Sequence, residues 1–564
     1  MSFLPTTIEE GKKYYKDFKG FDVIIISGDP YYDHPLSGTA IIARLLDRKG
    51  YKTAIIPQPL VDKEYKVCGQ PKYFFCITSG LLDSMLANYT PMLKQREDVL
   101  VPERGLIVYT QKIKELFKGS MTVLGGVEAT IRRFTHFDYR DNELRRGILN
   151  DTKADVLLFG SAERPILELL DSLTNKKKWQ SIEGLACRIK KDEIPKDIPM
   201  LPSYENCVKD KAAFNKLTKA YYLNPDSAFV EPCGVGFILH NKPAYPLTEK
   251  EMDYVYALTF TRLLHPGTKN KEMNEAAVEK LQTSIVIGKG CWGGCSFCIL
   301  PLVQGKNIAK RSKYSILREI EYLYKKGFRI INDLTLPTLN MYGSSCELYY
   351  LKHTIHSLIL DEDVTVYEKT VPCNQKCITC KHRILNDDLL DLLQDVEKLN
   401  KKYHGSLELR SAVRHDIILN QKKLFRKIMQ FVTRLKIAPE HISDYVLNLM
   451  NKSDKVTFDA FLDEYNKINE EQRTHKHLVP YFVAAHPGCG EKEMHDLAKY
   501  CKQKGLFVNL TQIFTPTPGT LSTAMYYTGE HPITKEKVYV ARTFRQRKDQ
   551  KNILVPSDKF DDDV

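Results

Sequence analysis

No apolar run in this 564-residue chain approaches the roughly eighteen residues needed to span a bilayer. The opening stretch, MSFLPTTIEEGKKYYKDF, carries acids and lysines where a signal peptide would need an apolar segment. Both absences argue against a helical membrane protein and an exported one, so the expectation is a soluble, cytoplasmic protein without a membrane partner. No G-x-G-x-x-G follows the first predicted strand, and a dinucleotide site is therefore not indicated. A concentrated basic patch is also missing. The net charge of +13, from 83 basic and 70 acidic side chains, is spread along the chain. Runs such as Lys176-Lys177-Lys178 then read as solvated faces, and nucleic-acid binding is not indicated.

What is present is a globular composition, 43% apolar and 27% charged, in a chain long enough for two or three domains. Fourteen cysteines stand out, and seven of them fall between residues 291 and 380. Clustering of this kind in an intracellular chain points to metal ligation before disulfides. The others (Cys68, Cys76, Cys187, Cys207, Cys233, Cys489 and Cys501) are scattered and read as inert small hydrophobes.

The hydrophobic pattern alternates between short runs and helical spacing. Candidate strands in the first part are 21–27, 73–78, 121–125 and 154–160, with Ile41, Ile42, Leu45 and Leu46 at helical spacing between the first two. Strands alternating with helices predict a parallel sheet covered on both faces, so residues 1–200 read as a Rossmann-like α/β domain. Prolines at 202, 225, 232, 243, 246 and 266 break the pattern, and 201–280 reads as a connector. A second series begins at Thr283, with candidate strands 283–288, 328–333, 407–413, 435–438, 479–485 and 508–514. Six such βα units over 281–530 suit a partial (β/α)6 barrel, whose reactive end is formed by the carboxyl ends of its strands. An insertion at 344–380 interrupts it, and 531–564 reads as a frayed, charged tail.

The text Lys289-Gly290-Cys291-Trp292-Gly293-Gly294-Cys295-Ser296-Phe297-Cys298 places three thiols on one loop after the first strand of that series. A [4Fe–4S] cube normally takes four cysteines. Three closely spaced ones leave an iron open, as a catalytic zinc leaves a position open. No histidine lies near 291–298 to favour a structural zinc site instead. C-x3-C-x2-C with an aromatic residue before the last cysteine resembles the signature of the radical S-adenosylmethionine (radical SAM) superfamily. That resemblance implies a cluster on Cys291, Cys295 and Cys298 whose open iron binds S-adenosylmethionine. Reductive cleavage to a 5′-deoxyadenosyl radical, hydrogen abstraction from a substrate, and an electron donor such as a flavodoxin or ferredoxin follow from it.

The likeness narrows further. Gly28-Asp29-Pro30-Tyr31-Tyr32-Asp33-His34-Pro35, Gly125-Gly126-Val127-Glu128-Ala129, Phe137-Asp138-Tyr139 and Lys153-Ala154-Asp155 resemble the YgiQ family of radical SAM proteins. So do Asp333 with Pro337-Thr338 and Asn340-Met341-Tyr342-Gly343, the stretch 411–416, and Ile437-Ala438-Pro439-Glu440-His441. His486-Pro487-Gly488 and Met525-Tyr526-Tyr527-Thr528-Gly529 extend the match over roughly residues 20–530. The chain departs from the family in having Cys298-Ile299-Leu300 for Cys-Ser-Ile, and Asp333-Leu334-Thr335-Leu336 for Asp-Leu-Gly-Gly. The resemblance puts the S-adenosylmethionine amino group near Asp333 and Asn332. Arg414 and Lys436, with Asp416, Glu440 and His441, are candidates for the rest of that cofactor or for substrate.

Cys373, Cys377 and Cys380 repeat the C-x3-C-x2-C spacing, with Cys346 upstream. This group lacks glycine, and the alternatives for it are zinc, an auxiliary iron–sulfur cluster, redox-active thiols or plain surface cysteines. Asp33-His34 follows the first strand, where a cobalamin-binding domain would carry Asp-x-His-x-x-Gly, but the register differs and a structural histidine is expected. Three function classes stay open. They are a hydrogen-abstracting radical enzyme, a radical methyl- or methylthiotransferase acting on RNA, and a non-enzymatic metal-stabilised interaction protein. The short stretch after 530 counts against a C-terminal RNA-binding barrel.

Overall fold

Val23–Ser27 is buried at every position, as a parallel strand covered on both faces requires. The computed structural model describes residues 2–555 apart from 235, 370, 372 and 509. It pairs this strand in parallel with Thr53–Pro57 on one side and Phe74–Thr78 on the other. Met121–Leu124 and Val156–Leu158 continue the sheet in parallel. Since the first strand lies between the second and third, the sheet is doubly wound. The helix Gly38–Arg48 starts at Ser37, whose hydroxyl accepts from the Ala40 N–H, and it buries Ile41, Leu45 and Leu46 against the sheet.

Residues 201–280 are not a connector. Leu185–Ile189, Gly236–His240 and Phe229–Cys233 add three antiparallel strands to the same sheet, making eight. Pro232 belongs to the outermost of these, where a missing N–H breaks no ladder. The prolines therefore interrupted the pattern without interrupting the fold. The insertion is likewise not one body. Its hairpin, Tyr349–Ser357 with Glu362–Lys369, groups almost wholly with the first unit, which comprises Met1–Gln282, Leu302–Gly305 and Tyr350–Thr370. The Ser357 hydroxyl donates to Glu251 at 2.6 Å, and Arg164 donates to the same carboxylate at 2.9 Å.

The second unit, Thr283–Pro301, Lys306–Tyr349 and Val371–Val564, is the partial (β/α)6 barrel. Ser284–Val286 pairs in parallel with Asp333–Thr335, and Ile330–Ile331 with Ser406–Leu407. A parallel bridge from Val413 to Ile437 links that third strand to Arg434–Glu440, which is followed by His477–Ala484 and Leu510–Ile513. Helices Lys313–Lys325, Asp388–Tyr403, Lys422–Phe431, Lys455–Glu471, Glu491–Gln503 and Leu521–Thr528 separate or follow the strands in chain order.

The tail is not frayed throughout. Phe544–Leu554 is a helix capped by Thr543, and it buries Arg547 and Gln550. Gln550 accepts from the Ala485 N–H at 2.9 Å and donates to the Cys489 carbonyl at 3.0 Å. Its buried side is polar, so no apolar periodicity announced it. Residues 556–564 of the expected tail lie outside the described residues.

Candidate functional site

The cysteine loop leaves the barrel directly after its first strand. Gly288–Lys289 pairs with Ala309–Lys310, and the chain turns at Gly290, where φ is +99° and a Cβ would lie 2.1 Å from the Asn307 carbonyl oxygen. Only glycine suits that position. Trp292 is buried, donates its indole N–H to the Ser344 hydroxyl at 2.7 Å, and lies under the Arg383 guanidinium at 4.0 Å. Asn451 donates to the Gly294 carbonyl at 2.7 Å, and the Ser296 N–H donates to the Met450 carbonyl at 2.9 Å. Ser522 N–H closes on the Ser296 carbonyl at 2.9 Å, and the His486 ring meets Phe297 at 6.0 Å. The loop is thus held by residues from distant parts of the barrel.

Within this frame the three thiols share one loop, and Cys295 is near enough to act electrostatically on both Cys291 and Cys298. Cys291 is buried 3.8 Å from the Thr338 hydroxyl and 3.9 Å from the Met341 sulfur. The Cys298 N–H donates to the Cys295 carbonyl at 3.1 Å. Burial, then the neighbouring Cys295, pushes the Cys298 thiol up to about 12 and raises that of Cys291. Iron binding would hold the ligating thiols as thiolates. Among the described residues no three His, Cys, Asp or Glu side chains stand together as ligands of one metal ion. A cube, whose cysteines are divided among separate irons, fits three thiols on one loop.

Arg414 closes one side. Its guanidinium donates to Asp416 through Nε at 2.9 Å and Nη2 at 2.5 Å, while Nη1 reaches the Cys295 sulfur at 3.3 Å. Burial opposes its charge, but the Asp416 carboxylate holds it well above the usual range. Asp416, buried as well, is held below the carboxylate range by Arg414. The Asn340 side chain bridges the Arg414 backbone, accepting from its N–H at 2.9 Å and donating to its carbonyl at 3.2 Å.

Register places the expected cofactor residues along the barrel. Ser284 pairs with Asp333 and Val286 with Thr335, so Asp333 is level with the first residue of the neighbouring strand. At about 3.3 Å per residue, it lies roughly 10 Å short of Leu336, toward the amino end of the barrel. Its carboxylate accepts from the Arg410 and Ser411 N–H groups at 2.9 and 3.1 Å and from the Ser411 hydroxyl at 2.6 Å. Asn332, beside it, donates its N–H to the Thr283 hydroxyl at 3.2 Å. Lys436 is half-buried and lies four residues before the end of its strand. The residues at the carboxyl end are Thr338, Arg414, Glu440 and His441. Glu440 is buried with φ of +69°, and its carboxyl is raised by burial against the opposing pull of Lys452 and Arg414. Ala485, after the fifth strand, has φ of +59°. Two non-glycine residues in the left-handed region at one barrel end mark backbone strain stored there.

In the second cysteine group, Cys346 belongs to a short strand paired with Arg383–Ile384, and Cys377–Thr379 forms a 3-10 turn. Burial raises the Cys346 thiol, and Cys377 and Cys380 add to that, so these three are neighbours. Cys373 is half-buried. Arg383, which pairs opposite Cys346 and stacks on Trp292, ties this segment to the first cysteine loop.

Outside the barrel, His34 has both ring nitrogens committed. Nδ1 accepts from the Leu36 N–H at 3.0 Å, and Nε2 faces the Gln282 carbonyl at 3.1 Å and Arg262 Nη1 at 2.9 Å. That is a structural histidine. Sequence reasoning missed Asn340, Asn451 and Ser522 as supports of the loop. It also missed the buried contact of Cys489 with His441 Nε2 at 3.5 Å. Asn340 lies in a quoted motif, so that signal existed, whereas the others have none in local pattern.

The model for the radical SAM N-terminal family matches residues 3–284, and one for a domain of unknown function (DUF3362) matches 509–559. A fold likeness, with a TM-score of 0.53 at 10% identity, covers 89% of this chain and 73% of TsrM from Kitasatospora setae. TsrM is a radical S-adenosylmethionine methyltransferase, solved with cobalamin and a [4Fe–4S] cluster bound. A UPF0313 protein of Methanocaldococcus jannaschii is 37% identical over 98% of this chain and 92% of its own length. Another, from Clostridium botulinum (strain 657 / Type Ba4), is 37% identical over 98% of this chain and 88% of its own. With that identity over nearly its whole length, the chain belongs to the UPF0313, or YgiQ, family of radical SAM proteins.

Proposed function

We propose that the chain is a radical SAM enzyme that holds a [4Fe–4S] cluster on Cys291, Cys295 and Cys298. When bound, the cluster supplies one electron to the sulfonium of S-adenosylmethionine, and hydrogen abstraction from a substrate follows. The observation that carries this reading is the placing of three buried or half-buried thiols on one firmly held loop at the carboxyl end of a parallel barrel. In the proposal the chain's own groups divide the remaining work. The backbone of 335–338 receives the methionine end, because it is level with the cysteine loop where Asp333 and Asn332 are not. Glu440, a buried carboxyl at the mouth, accepts from the cofactor or substrate. Lys436 and Arg414 are not assigned to S-adenosylmethionine. Methyl transfer through a histidine-ligated cobalamin is not part of the proposal, since His34 has no nitrogen to offer.

Anaerobic reconstitution tests it. Wild-type protein should bind about four irons with sulfide at this site, on the scale of one cube, and release 5′-deoxyadenosine with dithionite and S-adenosylmethionine. Cys291→Ala, Cys295→Ala and Cys298→Ala should each abolish that product. Zinc without iron would favour the metal-stabilised interaction protein instead.

A further inference from the structure

A cation buried against a cysteine sulfur needs a reason, because burial alone penalises it. Arg414 is 7% exposed, and its counter-ion Asp416 is 8% exposed. Asp416 takes Nε and Nη2, which are on one edge of the guanidinium, and this leaves Nη1 aimed at the Cys295 sulfur at 3.3 Å. Two features keep that direction. Asn340 clamps the Arg414 backbone from both sides, and Gly293 leaves room for Nη1, since a Cβ there would be 2.9 Å from it and 3.4 Å from the Cys291 sulfur. The ion pair is thus an oriented dipole whose positive end faces the thiol group.

The geometry points to Arg414 as the residue that tunes the reduction potential of the cluster, with Asp416 as its counterweight, a role that rests on the proposed cluster on Cys291, Cys295 and Cys298. A cluster that takes one electron from an external donor gains one negative charge. An N–H donor and a positive charge at a ligand sulfur stabilise the reduced form more than the oxidised one. Asp416 works in the opposite sense, because its negative charge favours the oxidised form. Arg414 is a positioning residue here and not a group that reacts, and this use of its fork replaces the expected contact with S-adenosylmethionine.

The test is an EPR-monitored redox titration of the reconstituted full-length protein without S-adenosylmethionine, with iron counted for each variant. Arg414→Gln should lower the ratio of reduced to oxidised cluster at fixed potential at least tenfold, a midpoint 59 mV more negative for one electron. Arg414→Lys, which keeps the charge, should recover part of the shift. Asp416→Asn should move the midpoint the other way, toward easier reduction. A midpoint unmoved in Arg414→Gln, or moved the same way in both variants, overturns the inference. If Arg414→Gln loads no iron, the sign of Asp416→Asn decides, and a null or negative shift overturns it. Wild-type protein without iron would instead remove the proposed function itself, whereas iron-loaded wild type with unresponsive variants removes only this tuning.

Discussion

A carboxylate inside a barrel either faces a ligand or holds the scaffold, and we propose from its hydrogen bonds that Asp333 holds the scaffold. Its three accepted hydrogen bonds tie the second strand to the turn after the third. Asp333→Ala would leave the Arg410 and Ser411 N–H groups without their acceptor, and an unsatisfied buried donor costs about 1–3 kcal/mol. The expected outcome is a lower denaturation midpoint with unchanged S-adenosylmethionine affinity in the folded protein. A tenfold loss of affinity with stability intact would restore the cofactor role. That Cys291, Cys295 and Cys298 share one loop was legible at this scale because their spacing is local. The level of Asp333 in the barrel was not legible, because pairing register is a long-range property that no neighbouring residue announces.

At the scale of elements, the errors share one cause: burial by polar or proline-bearing segments. The helix Phe544–Leu554 presents Gln550 to the ends of the fifth strand and the turn after it, satisfying Ala485 N–H and the Cys489 carbonyl. Gln550→Leu keeps the volume but leaves both groups unpaired. It should destabilise the protein by about 2–4 kcal/mol on the per-group scale, measured by urea denaturation. A change within a few tenths would show that the helix is dispensable. The insertion behaves as two elements, a hairpin and a cysteine-bearing segment, so only the latter is available to a second metal. We propose that Cys346, Cys373, Cys377 and Cys380 hold an auxiliary iron–sulfur cluster, since among the described residues no three of them stand together as ligands of one metal ion. Cys373→Ser with Cys377→Ser should then release about four irons. The first cluster should stay loaded, and the segment should become protease-sensitive. Unchanged metal content would make these plain thiols.

For the whole molecule, buried imidazoles are one contribution to the response to pH, opposed by the buried carboxyls of Asp29 and Glu183, which burial raises to about 6 and about 7. Burial holds His34, His136, His415 and His486 near 3 and His441 near 4, with Arg262 adding to the effect at His34 and Arg132 at His136. Each ionises at about 6.5 when unfolded, so between pH 6.5 and 4 the unfolded chain carries more protons and stability rises with pH. Acidification through that window should lower stability by up to about 1.4 kcal/mol per pH unit for each imidazole. A thermal midpoint that is flat from pH 7.5 to 5 would contradict this burial. The alternation of apolar runs determined, by itself, that the chain is α/β with a parallel sheet and a barrel, and cysteine spacing determined which loop carries three thiols. Both are carried by residues a few positions apart. Tertiary structure alone decided that Phe229–Cys233 extends the first sheet, that Asp333 anchors strands, and that Arg414 meets Cys295 across 119 positions. Such contacts depend on where the folded backbone brings side chains together, and the order of residues along the chain does not record that.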